Sequence, residues 1–198
     1  MDTSEATTEK QLQQIINHIR TQLTAYSIGA NKVRVALVTY GASQSTILNL
    51  RDGVNYNSIL KGLYSMRREE GNSDLPKALN FVHDNVIKTS RSGKPTIVSV
   101  FATQNPLPTS ENELKSAKEK LETRPVKILV TVMDKAGLTG PLSRLANVDQ
   151  GYVVPNDEGD LVSVLPDSMD ALDKALCEYS LILLQSYYID VLNILENY

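Results

Sequence analysis

The pattern of apolar positions predicts helices and strands that alternate along most of the chain. Apolar residues recur at three-to-four spacing behind the first few residues, which predicts an amphipathic helix that starts at Thr7 or Thr8. The runs 33–40, 95–102 and 126–132 are rich in β-branched residues and predict strands. The last two runs are apolar almost throughout, as is typical of parallel strands that are covered on both faces.

Shorter segments complete this pattern. Residues 45–50 predict a second strand, antiparallel to the first across a tight turn and at an edge of the sheet. Ser110 and Glu113 predict a capping box that opens a later helix, and residues 157–165 predict a partly helical connection. Asp167 is predicted to cap a last helix.

This order of elements predicts an α/β fold. Strands that alternate with helices favour a three-layer, Rossmann-like open sheet with helices on both faces. We expect the sheet to be mostly parallel, with one antiparallel edge strand. The chain shows no internal repeat and no low-complexity linker, so we expect one main domain.

Composition narrows the class of protein. The 198 residues are 41% hydrophobic and 22% charged, which is ordinary for a soluble globular domain. A formal net charge of −3 gives no general attraction to nucleic acid. The densest basic pair, Arg67 and Arg68, is followed by two glutamates, which is typical of a solvated surface and not of a phosphate-binding patch. The longest apolar run near the carboxyl terminus, 181–184, is too short for a membrane span, and the polar start has no signal-peptide pattern.

Catalytic motifs are absent from the sequence. It contains neither a glycine-rich phosphate loop nor the Gly-x-Ser-x-Gly motif of serine hydrolases. With two histidines and one cysteine, Cys177, few catalytic combinations are available. Cys177 cannot form a disulfide within the chain, and its place on the apolar side of a predicted helix favours an unreactive thiol. We therefore predict that the protein is not an enzyme.

Candidate chemistry lies in three loops. The first carries Asp2 and Ser4, the second spans 71–74, and the third follows the strand that ends near residue 102. In an open α/β sheet, ligands bind at the carboxyl edge, and we expect all three loops to reach that edge. Their carboxylate and hydroxyl oxygens are ligands suited to a hard divalent cation.

The motifs, taken together, resemble a von Willebrand factor type A domain. The resemblance rests on the strand 33–40, the helix entry 76–79, the strand 96–101 and the closing pattern 142–160. It runs to about Cys177, which divides the chain into a domain over 1–177 and an apolar tail over 178–198. The sequence resembles the matrix and collagen-associated members of the family more than the intracellular ones.

The resemblance implies a metal-ion-dependent adhesion site with a degenerate ligand set. The family motif Asp-x-Ser-x-Ser is matched by Asp2 and Ser4, whereas Ala6 stands in place of the last serine. Ser73 takes the position of the family's threonine in the second loop. Asp2, Ser4 and Ser73 are thus the predicted metal ligands, and Mg²⁺ is the predicted ion.

The third loop departs from the family. Where the family has an aspartate, this chain has Thr103, or Ala102 if the alignment shifts by one residue. Asp74 or Asp134 could replace the lost carboxylate, although Asp74 also suits a helix cap and Asp134 a turn. We assign Asp74, Thr103 and Asp134 to a ligand-binding rim. Because a carboxylate is missing, we expect metal binding to be weak or lost.

The resemblance also implies a hydrophobic central strand before the first loop, and the sequence begins at that loop. Either the chain is a fragment, a split product or a permuted domain, or another segment fills the central position. Residues 189–197 could supply such a strand. The spacing of apolar residues between Leu181 and Tyr198 favours a helix instead, which could contact a partner, a second copy or the gap.

The resemblance implies a protein-binding module of the adhesion or extracellular-matrix type. Its partner would be a matrix protein or receptor, and its location extracellular. The alternative is an assembly domain that associates through the tail 178–198.

Overall fold

The structure is a computed structural model that describes residues 1–103, 110–133, 141–146, 152–155 and 161–163. The predicted helix from Asp167, Cys177 and the tail lie outside these residues. The helices are α1 (Glu9–Leu23), α2 (Tyr56–Ser65), α3 (Leu75–Asn85) and α4 (Glu111–Glu122). The strands are β1 (Leu37–Tyr40), β2 (Gln44–Leu48), β3 (Thr96–Ala102), β4 (Val126–Val132), β5 (Tyr152–Pro155) and β6 (Leu161–Ser163), and 3₁₀ turns span Ile87–Thr89 and Pro141–Arg144.

Helix α1 starts where the sequence predicted, and a capping box fixes its first turn. Thr8 Oγ1 accepts a hydrogen bond from the Gln11 amide at 3.2 Å, and Gln11 Oε1 accepts one from the Thr8 amide at 2.9 Å. These two bonds satisfy backbone donors that a helix start leaves without partners. The capping box predicted at Ser110 is wrong, because the Ser110 side chain makes no cap hydrogen bond to α4.

The strands form two sheets. Strands β1 and β2 pair antiparallel, as predicted for the edge. Strands β3, β4 and β5 run parallel in the order β3-β4-β5-β6, and β6 is antiparallel to β5. The α/β class and the mostly parallel sheet are confirmed. The partly helical connection predicted over 157–165 is wrong where it includes β6, which adds a second antiparallel pair.

The first three residues join the two sheets. The Tyr40 amide donates to Met1 O at 3.0 Å, and the Thr3 amide donates to Tyr40 O at 2.8 Å. On the other side, the Asp2 amide donates to Phe101 O at 2.9 Å. Residues 1–3 therefore form a short strand segment between β1 and β3, and Asp2 and Tyr40 form a parallel bridge.

Helices cover both faces of these strands. One apolar cluster joins α3 and α4 to β3 and β4, and the other joins α1 and α2 to β1 and Phe101. Leu79, Leu121 and Ile128 are fully buried in the first cluster, and Ile16 and Leu63 in the second. The predicted three-layer architecture is confirmed. None of α1 to α4 is long and apolar enough to cross a bilayer.

Candidate functional site at the carboxyl edge of the sheet

Asp2 lies at the carboxyl ends of β1 and β3, where the two strands approach the short segment 1–3. Its side chain is buried, with a relative exposure of 1%. The Ser4 amide donates to Asp2 Oδ1 at 3.0 Å. Because a buried carboxylate is costly without hydrogen-bond donors, this local bond helps to hold the charge of Asp2 at the edge.

Thr103 supplies the second support for this carboxylate. It directly follows β3, and its Oγ1 donates to Asp2 Oδ2 at 2.7 Å, while its amide donates to the same oxygen at 3.4 Å. Thr7 Oγ1 lies 3.2 Å from Thr103 Oγ1 and 3.3 Å from Asp2 O, and its single O–H can donate to either oxygen. The first and third loops thus meet in one buried hydrogen-bond cluster.

The Asp2 charge acts on two buried neighbours. The Met1 ammonium donates to Val38 O at 2.9 Å, and burial lowers its pKa to about 5 against the opposing attraction of Asp2. The Tyr40 hydroxyl donates to Phe101 O at 2.9 Å. Burial raises the pKa of Tyr40 well above its ordinary value, and the Asp2 charge adds to that effect.

Backbone hydrogen bonds bring the second loop to the first. The Glu5 amide donates to Gly71 O at 3.1 Å, and the Glu69 amide donates to Thr3 O at 2.7 Å. Gly71 has φ +94°, a left-handed conformation that an L side chain rarely adopts, and a Cβ there would meet Ala42. Ser73 lies two residues after this turn, in a loop whose start is bonded to Thr3 and Glu5.

The predicted site residues have different positions. Asp2, Ser4 and Thr103 lie together, as their hydrogen bonds show. Asp74 is the N-cap of α3, where its Oδ1 accepts from the Lys77 amide at 3.0 Å and its Oδ2 pairs with Lys77 Nζ at 2.7 Å. Of the two roles considered for Asp74, a replacement carboxylate and a helix cap, the structure shows the helix cap. Asp134 lies outside the described residues.

Sequence reasoning missed two contributors. Thr7 directly follows Ala6, the residue that stands in place of the family's last serine. The hydroxyl of Thr7, one position later, could have indicated that this residue joins the site. Glu5 is exposed, and its Oε2 accepts from the Gly71 amide at 3.4 Å. No local pattern predicts this contact, since it joins loops that are distant in sequence.

The side chain of Ser4 indicates whether this site could bind a cation. Its Oγ is buried and has no hydrogen-bond partner, so it is free to act as a metal ligand. Each Asp2 carboxylate oxygen can also accept more than one interaction. No group of three or more His, Cys, Asp or Glu side chains suited to a metal occurs in the part of the chain that the structure describes. The residues fit a divalent cation held by few protein ligands.

Comparison with known proteins identifies the family. The model of the von Willebrand factor type A domain matches residues 1–166. The chain belongs to the von Willebrand factor type A family. The predicted resemblance is confirmed, and the match covers the three loops of the site. No curated protein sequence matches the chain.

Solved structures of von Willebrand factor type A proteins share this fold. Manganese-loaded TRAP protein of Plasmodium vivax superposes with a TM-score of 0.68 at 14% identity, covering 89% of this chain and 70% of that one. Proximal thread matrix protein 1 from the mussel byssus, with a zinc-occupied MIDAS motif, gives 0.62 at 16% identity. That alignment covers 90% of this chain and 45% of the mussel protein, so the chain spans under half of its length.

Proposed function

We propose that this von Willebrand factor type A domain is a non-catalytic module that binds a protein ligand at the carboxyl edge of its sheet. The observation that supports the proposal most is the buried cluster of Asp2, Ser4, Thr7 and Thr103, which joins two loops at that edge. The exposed residues Glu5 and Asn72 lie in the first and second loops. Asp74 and Asp134 complete the proposed rim.

We further propose that the ligand is a matrix protein or receptor and that the protein acts outside the cell. The mussel relative is a matrix protein of the byssus by name, and it has the same fold. Among the residues of the site that the structure describes, Asp2 is the one buried carboxylate, and it lies among hydroxyls. This arrangement suits recognition better than acid–base catalysis, where two groups of separate pKa are usual.

Metal dependence is weak or lost in this proposal. Asp2, Ser4 and Ser73 would hold Mg²⁺, and the ion would offer an open position to a carboxylate of the ligand. Thr103 replaces a family aspartate and donates to Asp2, so the site has lost one negative charge that would offset dehydration of the ion.

The rim can be tested with a matched pair of asparagines. Asn72 lies in the second loop at the carboxyl edge, and Asn31 precedes β1 at the opposite edge; both side chains are exposed. Binding to a panel of immobilised matrix proteins and receptor ectodomains should weaken about tenfold or more for Asn72→Trp, because a bulky side chain would block a contact surface. Asn31→Trp should bind like the unmodified protein, and equal effects of the two variants would refute the rim.

The metal can be tested separately by calorimetry with Mg²⁺. We expect weak binding that Asp2→Ala abolishes and that Thr103→Asp strengthens by about tenfold or more, because it adds a carboxylate. If Thr103→Asp folds and gains no Mg²⁺ affinity, Asp2 and Ser4 are not part of a cation site. Protein binding that is unaffected by EDTA would show that recognition at the rim no longer uses a metal.

A further inference from the structure

A second carboxylate, that of Glu69, lies beside the first loop. The Glu69 amide donates to Thr3 O at 2.7 Å, so the main chain fixes this residue next to the residues that follow Asp2. The Glu69 side chain is half-buried, and Ser43 Oγ donates to its Oε2 at 3.3 Å. The second loop therefore brings a negative charge to the carboxyl edge of the sheet.

Gly41, which directly follows β1, keeps a space open between Glu69 and Ser4. A Cβ atom at Gly41 would lie 3.3 Å from the amide nitrogen and the Cα of Ser4, and 3.5 Å from Glu69 Oε2. Because glycine has no Cβ, the Glu69 carboxylate and Ser4 border the same small space. The Ser4 amide in turn donates to Asp2 Oδ1 at 3.0 Å, so both carboxylates lie close to Ser4.

The charge of Glu69 has no cationic partner within the described part of the chain. Two arginines precede Glu69, and both bond elsewhere. Arg67 donates to two carbonyl oxygens at the carboxyl end of α2, each at 2.7 Å, and Arg68 donates to Glu5 O at 3.0 Å. A half-buried carboxylate without a counter-charge is unfavourable, so a cation in this space would be stabilised.

The hydroxyl of Ser4 is the second, independent observation. Ser4 is fully buried, and its Oγ has no hydrogen-bond partner. A buried hydroxyl without a partner costs free energy, and its lone pairs are free to bind a cation.

The charges around Ser4 match those of a divalent cation. When ionised, the side chains of Asp2 and Glu69 together offset the charge of one such ion. One or two carboxylates with further oxygen ligands and several waters are the usual set for Mg²⁺. With Asp2 alone, the site would have one carboxylate, and Glu69 raises it to the upper end of this range.

We propose that Glu69 supplies the second carboxylate of the cation site at the carboxyl edge. From the second loop, it replaces the negative charge that the third loop lacks at Thr103. Glu69 occupies none of the positions of the family motif, and it joins Asp2, Ser4 and Ser73 as a ligand of the ion. This inference rests on the proposed function for the place of the cation, and it deepens that proposal, because it makes Mg²⁺ binding weak but retained.

Calorimetry with Mg²⁺ on the full chain tests Glu69 against its neighbour in sequence. Glu69→Gln keeps the size of the side chain and an acceptor for Ser43, and it should weaken Mg²⁺ binding about tenfold or more because it removes a carboxylate. Glu70→Gln is the matched control, since Glu70 is an exposed carboxylate of the same loop, and it should bind Mg²⁺ like the unmodified protein. Equal affinities of the two variants, or no Mg²⁺ binding by the unmodified protein, would overturn the proposal.

A charge exchange tests whether Glu69 replaces the carboxylate of the third loop. In the Glu69→Gln protein, Thr103→Asp returns one carboxylate to the site, and it should restore most of the lost Mg²⁺ affinity. A folded double variant that binds Mg²⁺ no better than Glu69→Gln would show that the two positions do not supply the same charge, and the proposal would fail.

The melting temperature gives a readout that a purely structural role of Glu69 would not give. Without metal, the charges of Asp2 and Glu69 repel each other, so Glu69→Gln should melt no lower than the unmodified protein. Added Mg²⁺ should raise the melting temperature of the unmodified protein, because the ion binds the folded state, and should raise that of Glu69→Gln much less. A Glu69→Gln protein that is destabilised without metal, and that Mg²⁺ stabilises as much as the unmodified protein, would contradict the ligand role.

The outcomes separate this inference from the proposed function. If Asp2→Ala abolishes Mg²⁺ binding and Glu69→Gln leaves it unchanged, the cation site stands without Glu69 and this inference is wrong. Protein binding at the rim is measured with Asn72→Trp and Asn31→Trp, and its result does not depend on whether Glu69 binds a cation.

Discussion

At the scale of single residues, Asp2 is the group on which the site depends. It is a buried carboxylate whose two oxygens accept from the Ser4 amide and from Thr103. A carboxylate in this position is stable only while these donors stay in place. The hydroxyl of Thr103 thus helps to stabilise the Asp2 carboxylate at this edge of the sheet.

Replacing Thr103 should destabilise the fold. Thr103→Val removes the hydroxyl that donates to Asp2 and keeps the shape of the side chain. Because a hydrogen bond to a charged group is lost, we expect a decrease of about 1.5–3 kcal/mol in the free energy of unfolding, measured with urea. Thr39 is the matched control, since its Oγ1 is buried without a partner, and Thr39→Val should cost nothing or stabilise slightly. Equal losses in both variants would contradict the account.

At the scale of elements, the periodicity of apolar residues predicted most helices and strands. Long, regular segments such as α1 and β4 were predicted well, because apolar residues recur on the inner face of α1 and six of the seven residues of β4 are buried. The strand β6 was missed because Leu161–Ser163 is too short to show a period and follows an acidic stretch. The capping boxes show a different limit. Thr8 with Gln11 and Ser110 with Glu113 both fit the sequence rule, and of these two pairs the structure forms the box at Thr8.

The box at Thr8 gives a test at this scale. Thr8→Ala removes the side-chain acceptor for the Gln11 amide, and we expect a loss of about 1 kcal/mol in the free energy of unfolding. Thr8→Ser keeps the hydroxyl and should stay within about 0.5 kcal/mol of the unmodified protein, because serine is an equally good N-cap. Thermal unfolding followed by circular dichroism measures both, and a Thr8→Ala protein as stable as Thr8→Ser would contradict the role of the cap.

At the scale of the whole molecule, segments far apart in sequence meet at one edge of the sheet. Asp2 and Ser4 were predicted from the family motif, and Thr103 from its alignment with the aspartate of the family's third loop. Thr7 and Glu5 were not predicted, because their contacts join residues that only the fold brings together.

The central claim is that the first loop and the end of β3 act as one unit through Asp2 and Thr103. A double-mutant cycle with Asp2→Asn and Thr103→Val, with free energies of unfolding from urea titration, tests this claim most directly. The account predicts a coupling of about 1 kcal/mol or more, because the two side chains share one buried hydrogen bond. Effects that add to within about 0.5 kcal/mol would contradict it, since additivity is the behaviour of residues that do not interact.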